Sequence, residues 1–261
     1  MPLYRPPAEA NSFILQVTLG CSYNKCSFCT MYENKDYEVR KLEDIFDEIE
    51  VMSRLNPDTK RVFLADGDVL NVDTVHILKI LDVLISSFPK LQRVSAYASA
   101  FNLLKKSNEE LLSLKENKLS LVYYGIESGD FELLKAIDKS IKPSKMIEGL
   151  NKASEVGLKI SAMVILGLGG KSRSNEHIKN TAALINECKI SYLSTLELGF
   201  EKNRKDLFYE RFEKKLGKFT FLTQEEMLKE QALLISLINP SKPVIFRSNH
   251  ASNTFALKGV L

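Results

Sequence analysis

Apolar and polar residues alternate with two different periods along the first 200 positions. Between residues 41 and 55, Leu42, Ile45, Phe46 and Ile49 recur at the spacing of one helix face, with acidic residues between them. Similar helical stretches separate short, more continuous apolar runs that predict strands. These runs cover residues 12–19, 61–65, 93–98, 119–125, 159–166 and 191–198. Strands that alternate with helices at intervals of roughly 30 residues indicate parallel βαβ units.

A series of βαβ units with right-handed crossovers forms either an open, doubly wound sheet or a barrel. The periodicity alone does not choose between these two folds. In both, the loops at the carboxyl ends of the strands form the functional site. Those loops are therefore where we look for chemistry.

The alternation fades after residue 200. Charged helices are expected at residues 203–216 and 223–238, the second beginning at a capping box in which Thr223 precedes Glu226. A short apolar run follows at residues 244–246. We predict that residues 1–200 form the α/β body and that residues 201–261 form a C-terminal helical and extended cap rather than an independent domain.

The totals narrow the class of protein. The chain has 261 residues, with 36 basic and 33 acidic side chains and a net charge of +3, a balance that argues against nucleic acid as a partner. Its apolar runs are shorter than the roughly 20 residues of a membrane span, and the first residues lack the apolar core of a secretion signal. Four cysteines, three of them in one loop, fit a reducing cytoplasm better than a disulfide framework.

The three clustered cysteines are the strongest chemical signal. Cys21, Cys26 and Cys29 follow the first predicted strand, and such dense cysteines usually converge on a metal. A structural zinc site needs four protein ligands, and the histidines lie far away in the sequence. A 4Fe–4S cluster held by three thiolates would leave one iron open for chemistry.

The segment Cys-x4-Cys-x2-Cys, with Phe28 directly before Cys29, resembles the radical S-adenosylmethionine (SAM) superfamily. The usual first gap in that family is three residues, and some branches carry the four found here. The resemblance implies an incomplete (β/α)6 TIM-like barrel. It also implies a 4Fe–4S cluster on the three cysteines, with SAM bound to the open iron. A zinc knuckle completed by a distant residue, or a structural cluster, is the alternative.

The resemblance further implies an oxidoreductase-like mechanism. A reduced cluster cleaves SAM to methionine and a 5′-deoxyadenosyl radical, which abstracts hydrogen from a substrate. The sequence does not identify this substrate. The cluster needs a reducing electron donor, expected to be of flavodoxin or ferredoxin type.

Polar residues at the ends of the second and third strands are candidate SAM ligands. Asp66-Gly67-Asp68 loosely resembles the family's Gly-Gly-Glu segment, which holds the amino group of SAM, with a simple tight turn as the alternative. Ser99 follows the third strand and is expected to meet the carboxylate or ribose of SAM, although ordinary loop polarity would explain it equally well.

The end of the fourth strand carries the second specific segment. Residues 125–129 read Gly-Ile-Glu-Ser-Gly and closely resemble a segment of a large radical SAM branch. By that resemblance Glu127 and Ser128 face the ribose and methionine, and Lys139 reaches the carboxylate of SAM. A solvated surface lysine is the alternative for Lys139.

Two further pairs complete the predicted site. Ile165 on the fifth strand and Leu196 on the sixth are expected to enclose the adenine, unless both are plain core. Asn249 and His250 lie in a polar segment after a short strand and are candidate substrate contacts. The absence of a closing helix before Leu261 leaves the completeness of the C-terminus open.

Three classes of function remain compatible with the sequence. The first is radical SAM catalysis, in which an identity close to oxygen-independent coproporphyrinogen oxidase is an alternative although that enzyme is considerably larger. The second is an iron–sulfur protein for electron transfer or redox sensing without SAM turnover. The third is a zinc-stabilised barrel that binds nucleic acid. With no cysteines for a second cluster, sulfur insertion of the methylthiotransferase kind is disfavoured.

Overall fold

The computed structural model describes residues 3–139, 141–200 and 202–261. These residues form two units. The first contains the described residues of Met1–Asn24, Met31–Tyr124 and Lys152–Ile160, and the second contains those of Lys25–Thr30, Gly125–Asn151 and Ser161–Leu261. The predicted division into body and cap stays a prediction, and Glu201, where the predicted cap begins, lies outside the described residues.

The strands and helices follow the predicted alternation. The strands are β1 (Phe13–Gln16), β2 (Thr18–Leu19), β3 (Glu38–Val39), β4 (Arg61–Ala65), β5 (Arg93–Ala98), β6 (Leu119–Glu127), β7 (Lys159–Leu166), β8 (Tyr192–Glu197), β9 (Ile245–Ser248) and β10 (Leu257–Val260). The helices are α1 (Leu42–Leu55), α2 (Thr74–Ser87), α3 (Ala100–Lys105), α4 (Asn108–Glu116), α5 (Phe131–Ala136), α6 (Pro143–Glu155), α7 (Gly170–Glu187), α8 (Lys202–Leu216) and α9 (Gln224–Leu237).

The first unit is built on a parallel sheet. Its strands β1, β4, β5 and β6 lie side by side in that order, with Leu15 opposite Leu64 and Ala96 opposite Val122. From Val62 to Ala65, β4 has no exposed surface, as expected for a parallel strand covered on both faces. The carboxyl ends of these strands carry Asp66 and Ser99.

Helix starts in the first unit use side-chain caps. The carboxylate of Asp73 accepts a hydrogen bond from the backbone N–H of Val75 at the start of α2. Ser107 and Glu110 form a capping box at α4. The helical stretch between β5 and β6 is divided into α3 and α4, because each has its own cap.

The predicted first strand, residues 12–19, is in fact two strands. β1 joins the parallel sheet, whereas β2 pairs antiparallel with β3, with Thr18 opposite Val39. The chain leaves the parallel sheet at Val17, whose N–H donates to Ala65 O and whose carbonyl accepts from Arg40 N. The cysteine loop therefore starts from a short two-stranded ribbon.

The second unit also contains a run of paired strands. β7, β8 and β9 are parallel neighbours, and β10 runs antiparallel to β9. The apolar run at residues 244–246 thus leads into a sheet strand, in which Leu193 lies opposite Phe246. Because β9 is parallel to β8, the residues after β9 lie at the same sheet edge as the end of β8. The predicted capping box of α9, Thr223 with Glu226, is confirmed.

Within the described residues, none of the helices combines the length and the apolar character needed to cross a lipid bilayer.

Candidate functional site

The cysteine loop contributes to both units. Cys21 belongs to the first unit, and Cys26 and Cys29 belong to the second. All three side chains are partly exposed, and none of the four cysteines of the chain forms a disulfide. Partly exposed thiols are the soft donors that iron–sulfur clusters require.

In the first unit, Cys21 lies beside the end of β4. A Cβ on Gly67 would stand 3.0 Å from Cβ of Cys21 and 2.6 Å from the ring of Tyr32. Glycine is therefore required where the backbone after Asp66 approaches the cysteine loop. The backbone N–H of Gly67 also donates to Gly20 O at 3.1 Å. The structure thus brings Cys21 next to the Asp66-Gly67-Asp68 segment.

Asp68 stabilises the contact between the cysteine loop and the end of β4. Its carboxylate accepts from the hydroxyl of Ser22, one residue after Cys21, and it hydrogen-bonds Asn102. Burial raises the pKa of Asp68, although the hydrogen bonds from Ser22 and Asn102 oppose that rise. Asp68 therefore has partners on both the cysteine loop and α3.

Asp66 has a different environment. Its Oδ2 accepts from the ammonium of Lys35 at 2.7 Å, and the two side chains are only 0% and 4% exposed. Its Oδ1 is buried and has no hydrogen-bond partner among the described residues. A buried acceptor without a partner is rare, and it fits an additional ammonium group such as that of SAM.

Ser99 caps a helix. Its hydroxyl donates to Asn102 Oδ1 at 2.8 Å and accepts from Asn102 N at 3.2 Å, which forms the capping box of α3. This local role accounts for a serine at the end of β5. The predicted contact between Ser99 and SAM stays a prediction.

In the second unit, Cys26 and Cys29 lie near Lys139. The two cysteines share a turn, since Cys29 N donates to Cys26 O at 3.2 Å, and Ser27 N donates to Ile137 O at 3.0 Å. Burial alone would lower the pKa of Lys139, but the negative charges of Glu127, Cys26 and Cys29 outweigh it, so this pKa is raised.

Glu127 and Lys139 bind each other. Lys139 Nζ donates to Glu127 Oε1 at 2.8 Å and to Gly125 O at 2.7 Å, and it stands 6.0 Å from the ring centroid of Phe28. The two side chains are 13% and 19% exposed. The structure therefore brings together Phe28, Glu127 and Lys139 from the predicted site.

Ser128 turns into the interior. Its hydroxyl is fully buried and donates to His177 Nδ1 at 2.8 Å, while it accepts from Asp130 N at 3.0 Å. His177 donates through Nε2 to Ile165 O at 3.0 Å, and burial lowers its pKa to about 4. A neutral histidine thus fastens the end of β6 to the end of β7.

The remaining candidates lie on strands of the second unit or directly after one of them. Ile165 and Leu196 are direct register partners on β7 and β8, and both are half-buried. Asn249 is exposed and His250 is half-buried in the turn after β9. His250 Nδ1 accepts from Ser252 N at 3.1 Å, so the neutral ring carries its proton on Nε2.

Sequence reasoning missed three residues that shape these strand ends. Lys35 and His177 are described above. The third is Glu230 on α9, whose carboxylate accepts from Gly167 N at 2.5 Å and from Ser174 Oγ at 2.7 Å. Burial raises its pKa to about 7. The available sequence signal was an acid on the helix face that also carries Met227 and Leu234, three positions before it and four after it.

The residues fit the implied cofactors in their chemistry. Three cysteine thiols lie within nine positions, and Asp66, the residue before the Gly67 that approaches Cys21, offers an open buried acceptor. In the part of the chain that the structure describes, no three His, Cys, Asp or Glu side chains already form a metal-binding group. The ligand assignment therefore rests on donor chemistry and family, not on a preformed cage.

Comparison with known proteins shows related sequences. The model of the radical SAM superfamily matches residues 15–185. A Methanocaldococcus jannaschii protein, provisionally named a methylthiotransferase, is 26% identical over 166 residues, covering 60% of this chain and 35% of that protein. The GTP 3′,8-cyclase of Listeria monocytogenes is 27% identical over 161 residues, which are 59% of this chain and 45% of the cyclase.

Solved structures share the fold. Coproporphyrinogen III oxidase from Escherichia coli, a radical SAM enzyme, is similar with a TM-score of 0.61 and 14% identity, over 86% of this chain and 51% of that one. The likeness confirms the predicted TIM-like partial barrel. The chain spans only 35% to 51% of the length of these relatives. Because the family model covers well over half of its residues, the chain belongs to the radical SAM superfamily, a class of enzymes whose cofactors are a 4Fe–4S cluster and SAM.

Proposed function

We propose that this protein cleaves SAM reductively and uses the resulting radical to abstract hydrogen from a substrate. The ligands of the cluster are Cys21, Cys26 and Cys29. When bound and reduced, the cluster supplies the electron that breaks a carbon–sulfur bond of SAM to give methionine and a 5′-deoxyadenosyl radical. The observation that carries this proposal is the placement of Cys21 against Gly67, the residue that follows Asp66, whose Oδ1 is buried and has no hydrogen-bond partner among the described residues.

The chain's residues divide the work of binding SAM. Asp66 Oδ1 accepts from the ammonium of the methionine moiety, because its other oxygen is already bound to Lys35. Asp68, with its own partners, supports the loop rather than the ligand. Ser99 contributes a polar hydroxyl at the neighbouring strand end.

Glu127 and Lys139 are suited to exchange partners. Because both are partly exposed, a ligand with a carboxylate and two hydroxyl groups can replace their mutual contact. Lys139 then binds the carboxylate of SAM, Glu127 accepts from the ribose hydroxyls, and Phe28 lies beneath the lysine. Ser128 serves this pair indirectly by fixing the strand end through His177.

Ile165 and Leu196 provide adjacent half-buried apolar surface for the adenine. Asn249 and His250 follow β9 at the same sheet edge as the end of β8, and this position supports a role for them as contacts for the substrate. The electron donor is a reduced flavodoxin or ferredoxin.

The proposal is tested by anaerobic reconstitution with iron and sulfide, followed by dithionite and SAM. We expect brown protein and formation of 5′-deoxyadenosine, both lost in Cys26→Ala. The matched control is Cys188→Ala, because Cys188 is buried, and burial raises the pKa of its thiol to about 12.

The other outcomes separate the alternatives. A loaded, reducible cluster without SAM cleavage would favour electron transfer or sensing. A colourless protein that retains zinc would favour the zinc-stabilised barrel. Equal iron content in Cys26→Ala and Cys188→Ala would refute the ligand assignment.

A further inference from the structure

Lys35 and Asp66 form an ion pair with almost no access to water. Lys35 Nζ stands 2.7 Å from Asp66 Oδ2, and their side chains are 4% and 0% exposed. Removing two charges from water costs more than their attraction usually returns, so a buried pair is a poor device for stability alone. Its presence beside a predicted ligand site calls for a different explanation.

Each group of the pair is oriented by its surroundings. The ammonium of Lys35 lies 5.7 Å from the ring centroids of both Tyr4 and Tyr32, and such cation–π contacts favour a fixed position of the charge. Asp66 N donates to Thr18 Oγ1 at 3.4 Å. The lysine thus approaches the carboxylate from one side and occupies one of its two oxygens.

The pair also connects the cysteine loop to the end of β4. Gly20, the residue before Cys21, has a φ of +66°, and a Cβ there would meet the carbonyl oxygens of Lys35 and Asp36 at 2.8 and 2.9 Å. On the other side, Gly67 packs against Cys21. The backbone at Lys35 therefore packs against the residue before Cys21, and the residue after Asp66 packs against Cys21 itself.

We propose that Lys35 is a positioning residue for SAM, which holds Oδ2 of Asp66 so that Oδ1 is directed at the ammonium of the methionine moiety. In this arrangement the carboxylate bridges two ammonium groups, one from the chain and one from the ligand. Without Lys35 the carboxylate is free to rotate about its terminal torsion. This inference rests on the proposed SAM-binding function and names a residue that acts only through Asp66.

The test is a double-mutant cycle on SAM affinity. Equilibrium binding of SAM is measured on reconstituted, unreduced protein, so that no turnover is involved, for wild type, Lys35→Met, Asp66→Asn and the double variant. We expect Lys35→Met and Asp66→Asn each to weaken SAM binding by about tenfold to a hundredfold, the loss typical of a charge-assisted hydrogen bond. The control Lys171→Met removes an exposed lysine that pairs with Glu226, and we expect wild-type affinity.

The decisive comparison is between Asp66→Asn and the double variant. If Lys35 acts through Asp66, the double variant binds SAM as Asp66→Asn does, within about twofold, because coupled residues are not additive. A purely structural lysine would instead give losses that multiply, and that result would overturn the proposal. So would an unchanged affinity in Lys35→Met.

Two outcomes distinguish a failure of the proposed SAM-binding function from a failure of the proposed role of Lys35. Wild-type protein that loads a cluster but never binds SAM would refute the proposed function rather than the role of Lys35. If Lys35→Met alone fails to load iron, the double variant, which buries no unpaired charge, is still compared with Asp66→Asn. A further loss of affinity there counts against the proposal.

Discussion

The two units each place a lysine on a strand-end carboxylate, and the two pairs differ mainly in burial. Lys35–Asp66 in the first unit and Lys139–Glu127 in the second have nearly equal distances, 2.7 and 2.8 Å. The first pair is sealed, at 4% and 0% exposure, whereas the second retains 19% and 13%. A sealed pair keeps its partners, while a partly exposed pair can give them up to a ligand.

This difference in burial indicates different roles for the two ion pairs. The pair in the first unit is a fixed support that presents one unused oxygen. Under the proposed function, the pair in the second unit is an exchangeable contact, in which both charges become available to SAM. Breaking each pair in turn should therefore give different results for stability and for binding.

The largest expected effect on stability is that of removing the lysine of the buried pair, and the matched comparison is the same change in the partly exposed pair. Lys35→Met leaves a fully buried carboxylate without its cation, and we expect a loss of about 3–5 kcal/mol in the free energy of unfolding. Lys139→Met, at a partly exposed pair, should cost about 1 kcal/mol. Anaerobic urea unfolding followed by circular dichroism measures both, and equal losses would remove the distinction between the pairs.

A third carboxylate, that of Glu230, extends the comparison. It accepts hydrogen bonds from a backbone N–H and a hydroxyl group, whereas the other two carboxylates accept from a lysine ammonium. Burial raises its pKa from 4.5 to about 7, so folding favours the protonated form. The stabilisation is complete below about pH 4.5 and is lost as the pH rises towards 7.

Glu230→Gln should abolish this pH dependence. The amide still accepts from Gly167 N and donates to Ser174 Oγ, so both hydrogen bonds persist. We expect the variant to match wild type near pH 4.5 and to be more stable by about 2–3 kcal/mol at pH 8. Unfolding measured across this pH range checks the prediction, and parallel pH profiles would contradict it.

Gly129→Ala tests how the strand end that carries Glu127 packs against α7. A Cβ there would lie 2.2 Å from the backbone oxygen of Asn180 on α7, and a helix backbone cannot move aside cheaply. We expect destabilisation of about 1–3 kcal/mol. Gly199→Ala is the control, because a Cβ at Gly199 meets nothing within 4 Å. The two variants should differ clearly in melting temperature.

Apart from Lys139→Met, the smallest expected effect is that of Ser128→Ala. It leaves Asp130 N and His177 Nδ1 without their buried partner, at a cost of about 1–2 kcal/mol. Because Ser128 acts through the strand end, SAM affinity should fall less than in Glu127→Gln. An affinity loss larger in Ser128→Ala would instead indicate a direct contact with the ligand.

Much of the fold was readable in the sequence because it depends on local patterns. Helical periodicity, strand runs and the capping boxes at Ser107 and Thr223 are encoded within a few residues. The points at which the chain leaves one element for the next, such as the division of residues 12–19 into β1 and β2, were not readable. β1 and β2 separate because Val17 donates to Ala65, a contact between residues 48 positions apart.

The candidate site was partly readable for a similar reason. The cysteines and residues 125–129 stand in specific short motifs, so their candidacy needed no tertiary information. Lys35 lies in a loop without periodicity, and its partner is 31 positions away. His177 and Glu230 lie on helices whose inward faces are visible only once α7 and α9 are packed. The joining of β9 to β8 likewise depends on pairing across 53 positions, as at Tyr192 and Ile245.

The most direct test of the central claim is the electron paramagnetic resonance spectrum of the reconstituted, dithionite-reduced protein, recorded with and without SAM. We expect the signal of a reduced 4Fe–4S cluster whose g values shift when SAM is added, because three cysteines leave one iron open to it. The shift should be weaker at equal SAM concentration in Lys35→Met. A cluster signal that SAM leaves unchanged, or the absence of any cluster signal, would contradict a SAM-binding site at these strand ends.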